Sequence, residues 1–270
     1  MYNVSVNTYD QLNMILANRD NFDRIYIDSS LAYNILDGLC SDADINIPLY
    51  ISGPAIFRQD KVFILDKLIN SGIFEGILVK NMETYGFVSC SYPDMKIVLD
   101  SGIYTFNSES ISFFADNNPN VLEYTASFEL TSKENYSLMA QVKEKIPSLK
   151  VNYLIYGKIP MMVSANCIRK TLKQCNSQNG FEIIEDRMHK KLCVQCDCTQ
   201  CYNIVYNSMV LSLHKYIHEL EEYDNLRLNF TDESADETKN VIDYFTSISS
   251  LYKEPFYKEF TTGHYKRCVE

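Results

Sequence analysis

Cysteines are concentrated in one short part of this 270-residue chain, which contains nine of them. The concentrated group is Cys167, Cys175, Cys193, Cys196, Cys198 and Cys201. Thiolates are soft ligands that favour zinc and iron–sulfur clusters. The first residues carry no secretion signal, so we expect a cytoplasmic chain in which such a concentration predicts a metal or cluster site before a disulfide framework.

The spacing narrows the choice of ligands. Two C-x-x-C pairs, 193/196 and 198/201, are separated only by Asp197. Two ordinary zinc knuckles need intervening chain to face one another, so we expect one pair to act with two more distant thiols. The preferred ligand set is Cys167, Cys175, Cys198 and Cys201, with Cys193 and Cys196 as alternative ligands, because spacing alone does not decide between the two pairs. It could hold a four-iron four-sulfur cluster or a zinc ion, and redox-active or inert thiols are the alternatives.

The remaining thiols, Cys40, Cys90 and Cys268, have no partner nearby in sequence. We interpret them as single buried or terminal cysteines.

Charge limits the partners of the chain. The formal net charge of −10 opposes binding to a phosphate backbone, so we expect RNA to be reached only indirectly. Basic residues nevertheless occur within the cysteine-rich segment, among them Arg187 and Lys190. These two could orient an anionic substrate, with a solvated basic loop as the alternative. No apolar run is long enough to span a membrane.

Short β-branched or aromatic runs alternate with amphipathic segments along the chain, which is typical of βα units. The predicted strands are Val4–Val6, Arg24–Asp28, Pro48–Ser52, Gly76–Lys80, Lys96–Asp100, Val121–Ser127, Lys150–Tyr156 and Leu226–Thr231. The predicted helices include Tyr9–Ala17, Val62–Ser71, Ser108–Asp116, Ser132–Ile146 and Asp236–Ser249. This repeat predicts one (βα)8 TIM-like barrel over residues 1–270. An open doubly wound sheet is less favoured because no glycine-rich phosphate loop follows the first strand.

One connection is much longer than the others. Residues 157–223, between the seventh and eighth predicted strands, form a cysteine-rich insertion. We expect a hairpin of residues 181–185 with 192–195, a strand over 203–207 and a helix over 210–222. Barrels of this type carry their active sites on loops at the carboxyl ends of the strands, so the insertion lies where chemistry is expected.

Polar residues at the carboxyl ends of predicted strands are further candidates, although some of them are expected to cap helices. They include Asp28, Lys80 and Asn81. The proposed catalytic residues are Asp100, Glu129 and Arg187. The proposed substrate-binding residues are Tyr156 and Lys190.

Several motifs occur together in one order: the run 156–162, Cys167 with Cys175, Glu185-Asp186-Arg187, Cys198-x-x-Cys201-Tyr202-Asn203, Tyr206-Asn207-Ser208 and Thr261-Thr262-Gly263-His264-Tyr265. With them the chain resembles the C-terminal barrel of long bacterial proteins of peptidase family U32, the collagenase type. Members of this family are commonly labelled as proteases. Related members, however, take part in hydroxylating RNA bases or ubiquinone precursors. Several carry a four-iron four-sulfur cluster, which would fall on Cys167, Cys175, Cys198 and Cys201.

The chain departs from that family pattern in two ways. Long members place another barrel and a middle domain before this one, so we expect the present chain to be either a stand-alone paralogue or a fragment. An N-terminal barrel of the same or another U32-type chain is then a candidate partner. Cys193 and Cys196 are additional to the pattern. We expect an iron–sulfur protein involved in RNA base hydroxylation. The alternatives are a zinc-dependent hydrolase with Glu129 or Asp100 as base, and a non-catalytic partner-binding barrel with a structural metal.

Overall fold

The computed structural model describes residues 2–41, 45–247, 255 and 257–267. Its first seven strands are β1 (Tyr2–Val6), β2 (Phe22–Asp28), β3 (Leu49–Ser52), β4 (Gly76–Val79), β5 (Lys96–Leu99), β6 (Val121–Thr125) and β7 (Lys150–Ser164). Each pairs in parallel with the next. They are short and mostly buried, as expected where both faces of a parallel sheet are covered.

Six helices occupy the connections between these strands: α1 (Tyr9–Ala17), α2 (Ser29–Ser41), α3 (Val62–Asn70), α4 (Met82–Ser91), α5 (Ser108–Asn117) and α6 (Ser132–Lys145). Side-chain caps fix where several begin. Thr8 and Thr131 each form a capping box with the residue three positions later. Asn81, a candidate strand-end residue, accepts a hydrogen bond from the backbone N–H of Thr84 and is therefore the cap of α4.

After residue 157 the chain leaves the barrel as a sheet extension. Its elements are the outer part of β7, α7 (Ile168–Thr171), β8 (Gly180–Glu185), β9 (Lys191–Asp197) and β10 (Tyr202–Ser212). β8 pairs with β9, β9 with β10, and β10 with β7, all antiparallel. We call the four strands the extension sheet.

The helix predicted over residues 210–222 is wrong. Val210, Leu211 and Ser212 continue β10, because they pair with β7 on one side, and on the other side Val210 and Leu211 pair with β12 (Phe260–Thr261). A 3₁₀ helix, His214–Leu220, follows. The apolar spacing suited either structure, and the pairing between distant strands decided it.

β11 (Asn225–Asn229) closes the barrel, because it pairs in parallel with both β1 and β7. Within the described residues, β1 to β7 and β11 therefore form a closed eight-stranded parallel barrel, which confirms the predicted (βα)8 fold. α8 (Ala235–Ser247) follows β11. The last two residues of its predicted range lie outside the described residues.

The interior of the barrel contains two buried ion pairs. Arg24 of β2 forms an ion pair of 2.8 Å with Glu123 of β6. Arg227 of β11 pairs with Asp100, the residue after β5, at 2.5 Å. The apolar residues that alternate with them belong to the large core between strands and helices.

No helix in the described part of the chain is long and apolar enough to cross a membrane.

Candidate functional site

The four cysteines predicted as ligands lie around one cavity of about 100 Å³. We call it the cysteine cavity; its walls are Cys167, Lys170, Cys175, Ser177, Asp197, Cys198, Cys201 and Asn203. Two of the thiols come from the segment around α7 and two from the turn between β9 and β10. The extension sheet therefore brings together cysteines that are far apart in sequence.

Side-chain amides hold the two cysteine-bearing segments in place. The Asn179 Oδ1 atom accepts hydrogen bonds from the backbone N–H groups of Cys198 and Thr199, at 2.8 and 3.1 Å. The Asn203 Oδ1 atom accepts one from the N–H of Ile168 at 2.9 Å, which fixes the start of α7 beside β10. The loops around the cavity are thus fastened to the sheet by specific bonds.

Positive charge accompanies the thiols. The Lys170 ammonium lies 3.3 Å from the Cys201 sulfur, and that sulfur raises the pKa of Lys170. Burial raises the pKa of the Cys198 thiol, while the Arg169 guanidinium acts in the opposite direction. Arg169 is itself held by an ion pair with Glu182 at 2.8 Å. Two cations beside four thiols would offset the charge of bound thiolates.

The chemistry of the cysteine cavity suits a metal or cluster, but the positions of its side chains do not form a complete metal site. Among the described residues, no three His, Cys, Asp or Glu side chains are placed so that together they could bind one metal ion. The residue types nevertheless fit a metal or cluster, because four thiols line the cavity. A lysine and an amide without a hydrogen-bond partner among the described residues line it as well. The Asn203 Nδ2 group is that amide: the residue is 1% exposed and this donor has no hydrogen-bond partner in the described part of the chain.

The two additional cysteines of the C-x-x-C pairs do not line the cavity. Cys193 packs with Tyr202 and Tyr206, whereas Cys196 packs with Val194 and Val205 in another cluster. Burial raises the pKa of the Cys193 thiol to about 12 and that of Cys196 to about 11. Both are therefore protonated, poorly reactive thiols at neutral pH.

The isolated thiols differ from the prediction. Cys40 and Cys90 are exposed, so the expectation of buried side chains is wrong for them. Both lie near the ends of surface helices, where the apolar core does not reach. Cys268 lies outside the described residues.

A second, larger cavity of about 210 Å³ lies at the barrel mouth. We call it the mouth cavity; its walls are Asn7, Thr8, Asp28, Ser30, Leu31, Asn34, Asn179, Gly180, Phe181, Gln195 and Asp197. These residues come from the carboxyl ends of β1 and β2, the start of α2, and the hairpin of β8 and β9. Asp197 lines both cavities and is the wall that they share.

Two buried carboxylates face the mouth cavity. Burial, followed by the negative charge of Asp197, raises the pKa of Asp28 to about 6, against the attraction of Lys80. Burial also raises the pKa of Asp197, against hydrogen bonds from the Gln200 backbone and from Ser30. The Ser30 hydroxyl lies 2.8 Å from each oxygen of Asp197. With a pKa of about 6, Asp28 can exchange a proton near neutral pH, as general acids and bases do.

The other predicted site residues lie elsewhere. Burial raises the pKa of Asp100, but Arg227 and then Lys80 outweigh it and hold that pKa below its usual range. Asp100 is therefore ionised and neutralised by Arg227, which makes it a weak base. Glu129 is half-buried in the loop after β6, where its N–H donates to Ser127 Oγ at 3.1 Å.

Tyr156 is buried and lines neither cavity. Its hydroxyl donates to Glu233 Oε1 at 3.1 Å, and its ring packs against Phe230 and Phe245. A side chain enclosed in this way is positioned to support the loop after β11 rather than to contact a ligand in either cavity.

Arg187 and Lys190 are exposed in the turn that joins β8 and β9. The strand register pairs Gly180 with Cys196 near the cavities and Glu185 with Lys191 at the turn. At about 3.3 Å per residue, about 17 Å of strand separates these two ends. The structure therefore does not bring the two basic residues together with the cysteines.

Sequence reasoning missed Asp197 and Gln195 as site residues. Asp197 reads as a spacer between two C-x-x-C pairs, and Gln195 reads as part of an ordinary hairpin strand. Both are buried polar side chains at 2% and 8% exposure. The signal available in the sequence was that these two residues are polar while most of their predicted strand is apolar. Burying a polar side chain costs free energy unless it has a hydrogen-bond partner.

No protein-family model matches this chain, and no curated protein matches it. Solved structures with a similar arrangement include an uncharacterized B. cereus protein, with 12% identity, a TM-score of 0.45, and coverage of 90% of this chain and 64% of that one. A protein from Coccidioides immitis assigned to the dihydrodipicolinate synthase family has 12% identity, a TM-score of 0.42, and coverage of 56% and 59%. The probable 3-DHS dehydratase AsbF, involved in petrobactin synthesis in Bacillus anthracis, has 12% identity, a TM-score of 0.47, and coverage of 91% and 98%. The chain thus spans less than two thirds of the first two proteins, and the fold assignment depends on the strand pairing described above.

Proposed function

We propose that this chain is a U32-type barrel protein that binds a four-iron four-sulfur cluster and takes part in the hydroxylation of RNA bases. One observation carries the proposal. The four cysteines that the family resemblance selects, Cys167, Cys175, Cys198 and Cys201, line a single cavity. The two cysteines outside that pattern, Cys193 and Cys196, are packed into apolar clusters instead.

The residues around the thiols have separate tasks in this proposal. Cys167, Cys175, Cys198 and Cys201 would hold the cluster. Lys170, 3.3 Å from the Cys201 sulfur, would offset thiolate charge. Arg169 would do the same for Cys198. When bound, such a cluster supplies one-electron transfer, whose potential depends on charge and hydrogen bonds near the sulfurs.

Buried carboxyls beside the cysteine cavity suit a reaction that moves protons. Asp197 forms the wall between that cavity and the barrel mouth. Asp28, with a pKa near 6, can take up or release a proton at cellular pH. We assign these two residues, rather than Asp100 or Glu129, to proton transfer.

The proposal includes a location in the cytoplasm, which is a reducing compartment. Every described cysteine is free, including the exposed Cys40, Cys90 and Cys175. Free exposed thiols persist where glutathione and thioredoxin keep them reduced.

The net charge of −10 supports indirect contact with RNA. We propose that an N-terminal barrel of the same or another U32-type chain presents the RNA, while this barrel acts on the base.

The function is tested in cells and on RNA. Deleting the gene should remove a hydroxylated base from cellular RNA, measured by mass spectrometry of nucleoside digests. The wild-type gene should restore that base, and a gene carrying Cys198→Ser should not. Cys90→Ser, which changes an exposed cysteine on α4, is the matched control and should restore it fully. An unchanged nucleoside profile in the deletion strain contradicts the proposal, and cleavage of gelatin by the purified protein favours the protease alternative.

A further inference from the structure

We infer that the mouth cavity is the binding pocket for the substrate base, a neutral planar ring with adjacent N–H and C=O groups. The inference rests on the function proposed above and adds the place and the recognition chemistry.

The cavity has the size of a small ligand. Its volume is about 210 Å³, which corresponds to about seven water molecules at about 30 Å³ each. The barrel strands provide its floor, and the β8–β9 hairpin covers it. Pockets at the carboxyl ends of barrel strands are where this architecture binds its substrates.

One amide donor in the wall is not used by any described residue. The Oε1 atom of Gln195 accepts a hydrogen bond of 2.7 Å from the Tyr206 hydroxyl. That bond leaves its Nε2 group, for which no hydrogen bond to a described residue is present. Gln195 is 8% exposed and lines the cavity. An amide donor that lines a cavity and is not used by the protein is available to an acceptor on a ligand, such as a ring carbonyl.

The two carboxyl groups supply the complementary chemistry. Asp28 and Asp197 both line the cavity and are 6% and 2% exposed. Carboxylate oxygens accept hydrogen bonds, so these two acceptors and the Gln195 amide donor match the alternating N–H and C=O edge of a base. Phe181 adds a half-buried aromatic ring to the wall, on which a planar ring can stack.

The same groups disfavour charged ligands. Phosphate would be repelled by the two aspartates and by the net charge of −10. A free cation is disfavoured because Lys80 already lies within electrostatic range of both aspartates.

The position of the cavity connects it to the cysteines. Asp197 lines both cavities. Asn179 lines the mouth cavity and accepts the hydrogen bond from the Cys198 backbone. A base in the mouth cavity would therefore lie beside a side chain that also lines the cysteine cavity.

Direct binding tests the inference without any activity assay. Free uridine, cytidine, adenosine and guanosine would be titrated into the protein and followed by calorimetry and ligand-observed NMR, with methyl glucoside as the sugar control. We expect at least one nucleoside to bind and the sugar not to bind. Asn34→Leu at the rim and Gln195→Met in the wall should each weaken binding at least tenfold. Asn117→Leu, an exposed asparagine at the end of α5, should not.

The outcomes separate this inference from the proposed function. Cys198→Ser should still bind the nucleoside, because the mouth cavity does not include that thiol. Binding without any cluster in the wild-type protein would leave the pocket in place and overturn the cluster. Absence of nucleoside binding, equal binding of the sugar, or unchanged binding by both cavity variants would overturn the pocket.

Discussion

The Ser30 hydroxyl lies 2.8 Å from both carboxylate oxygens of Asp197. Ser30 is in the first turn of α2, directly after β2, and Asp197 ends β9 of the extension sheet. This buried contact fastens the cysteine-bearing hairpin to the barrel mouth. It forms this junction together with two hydrogen bonds of 3.1 Å, from the Arg58 guanidinium to the Cys201 carbonyl and from the Ala55 N–H to the Tyr202 hydroxyl.

Removing the hydroxyl tests this junction. Ser30→Ala should lower the free energy of unfolding by about 1–3 kcal/mol, because it takes a donor away from a buried carboxylate. Ser41→Ala on the same helix should change it by less than about 0.5 kcal/mol, since the Ser41 hydroxyl is exposed. Urea denaturation measures both. Equal effects of the two changes would show that the Ser30 contact has no special role.

Asp28 should make stability depend on pH. Its pKa in the folded chain is raised to about 6, so the folded state binds this proton more tightly than the unfolded state does. Its contribution to stability is therefore present below about pH 4 and is lost as the pH rises through about 6. Asp28→Asn keeps an acceptor for the Ser30 and Leu31 N–H groups and should stabilise the protein at pH 7 by about 1–3 kcal/mol.

Thermal unfolding between pH 4 and 8 provides the measurement for Asp28. The difference between wild type and Asp28→Asn should grow across the interval from pH 4 to 6 and then level off. A constant difference over the whole range would mean that the carboxyl group does not titrate in this way.

The Asp100–Arg227 pair should behave as a buried ion pair of the barrel interior. Arg227 is almost fully buried, so Asp100→Asn leaves a guanidinium charge without its partner and should cost about 3–5 kcal/mol. Glu75→Gln breaks the exposed pair between Glu75 and Lys96 and should cost less than about 1 kcal/mol. Denaturant titration of the two variants compares them. A loss of activity in Asp100→Asn without any loss of stability would instead favour the catalytic role predicted from the sequence.

Much of the barrel could be predicted from local patterns, whereas its interior could not. Strands such as Lys96–Leu99 and helices such as Tyr9–Ala17 follow from apolar periodicity and capping residues. The pairing of Arg24 with Glu123 joins residues on distant strands, and no local pattern reveals it. The same holds for residues 210–212, whose strand conformation depends on pairing with β7.

Part of the candidate site could likewise be predicted from the sequence, and part of it could not. Residue type and family resemblance selected four cysteines that do share a cavity. Arg187 and Lys190 looked suitable because they are basic and lie near the cysteines in sequence, but the register of the hairpin places them at its far end. The polarity of Asp197 within its strand was the one signal in the sequence, and it does not reveal the contact with Ser30, because those two residues are far apart in sequence.

Neighbouring cysteines provide a matched test of the ligand set. Cys196→Ala changes a buried thiol in an apolar cluster and should leave metal content unchanged, with a loss of about 1 kcal/mol in stability. Cys198→Ala, two residues along the chain, should lower the metal content by more than half. Metal analysis and urea denaturation of both proteins give the comparison. Loss of metal in Cys196→Ala alone would show that the other C-x-x-C pair contains the ligand.

Quantifying iron, acid-labile sulfide and zinc in the anaerobically purified wild-type protein is the most direct test of the central claim. We predict about four iron and four sulfide per chain, with a broad absorption band near the visible region. One zinc per chain without sulfide, or no metal at all, would contradict the assignment of the cysteine cavity as an iron–sulfur centre.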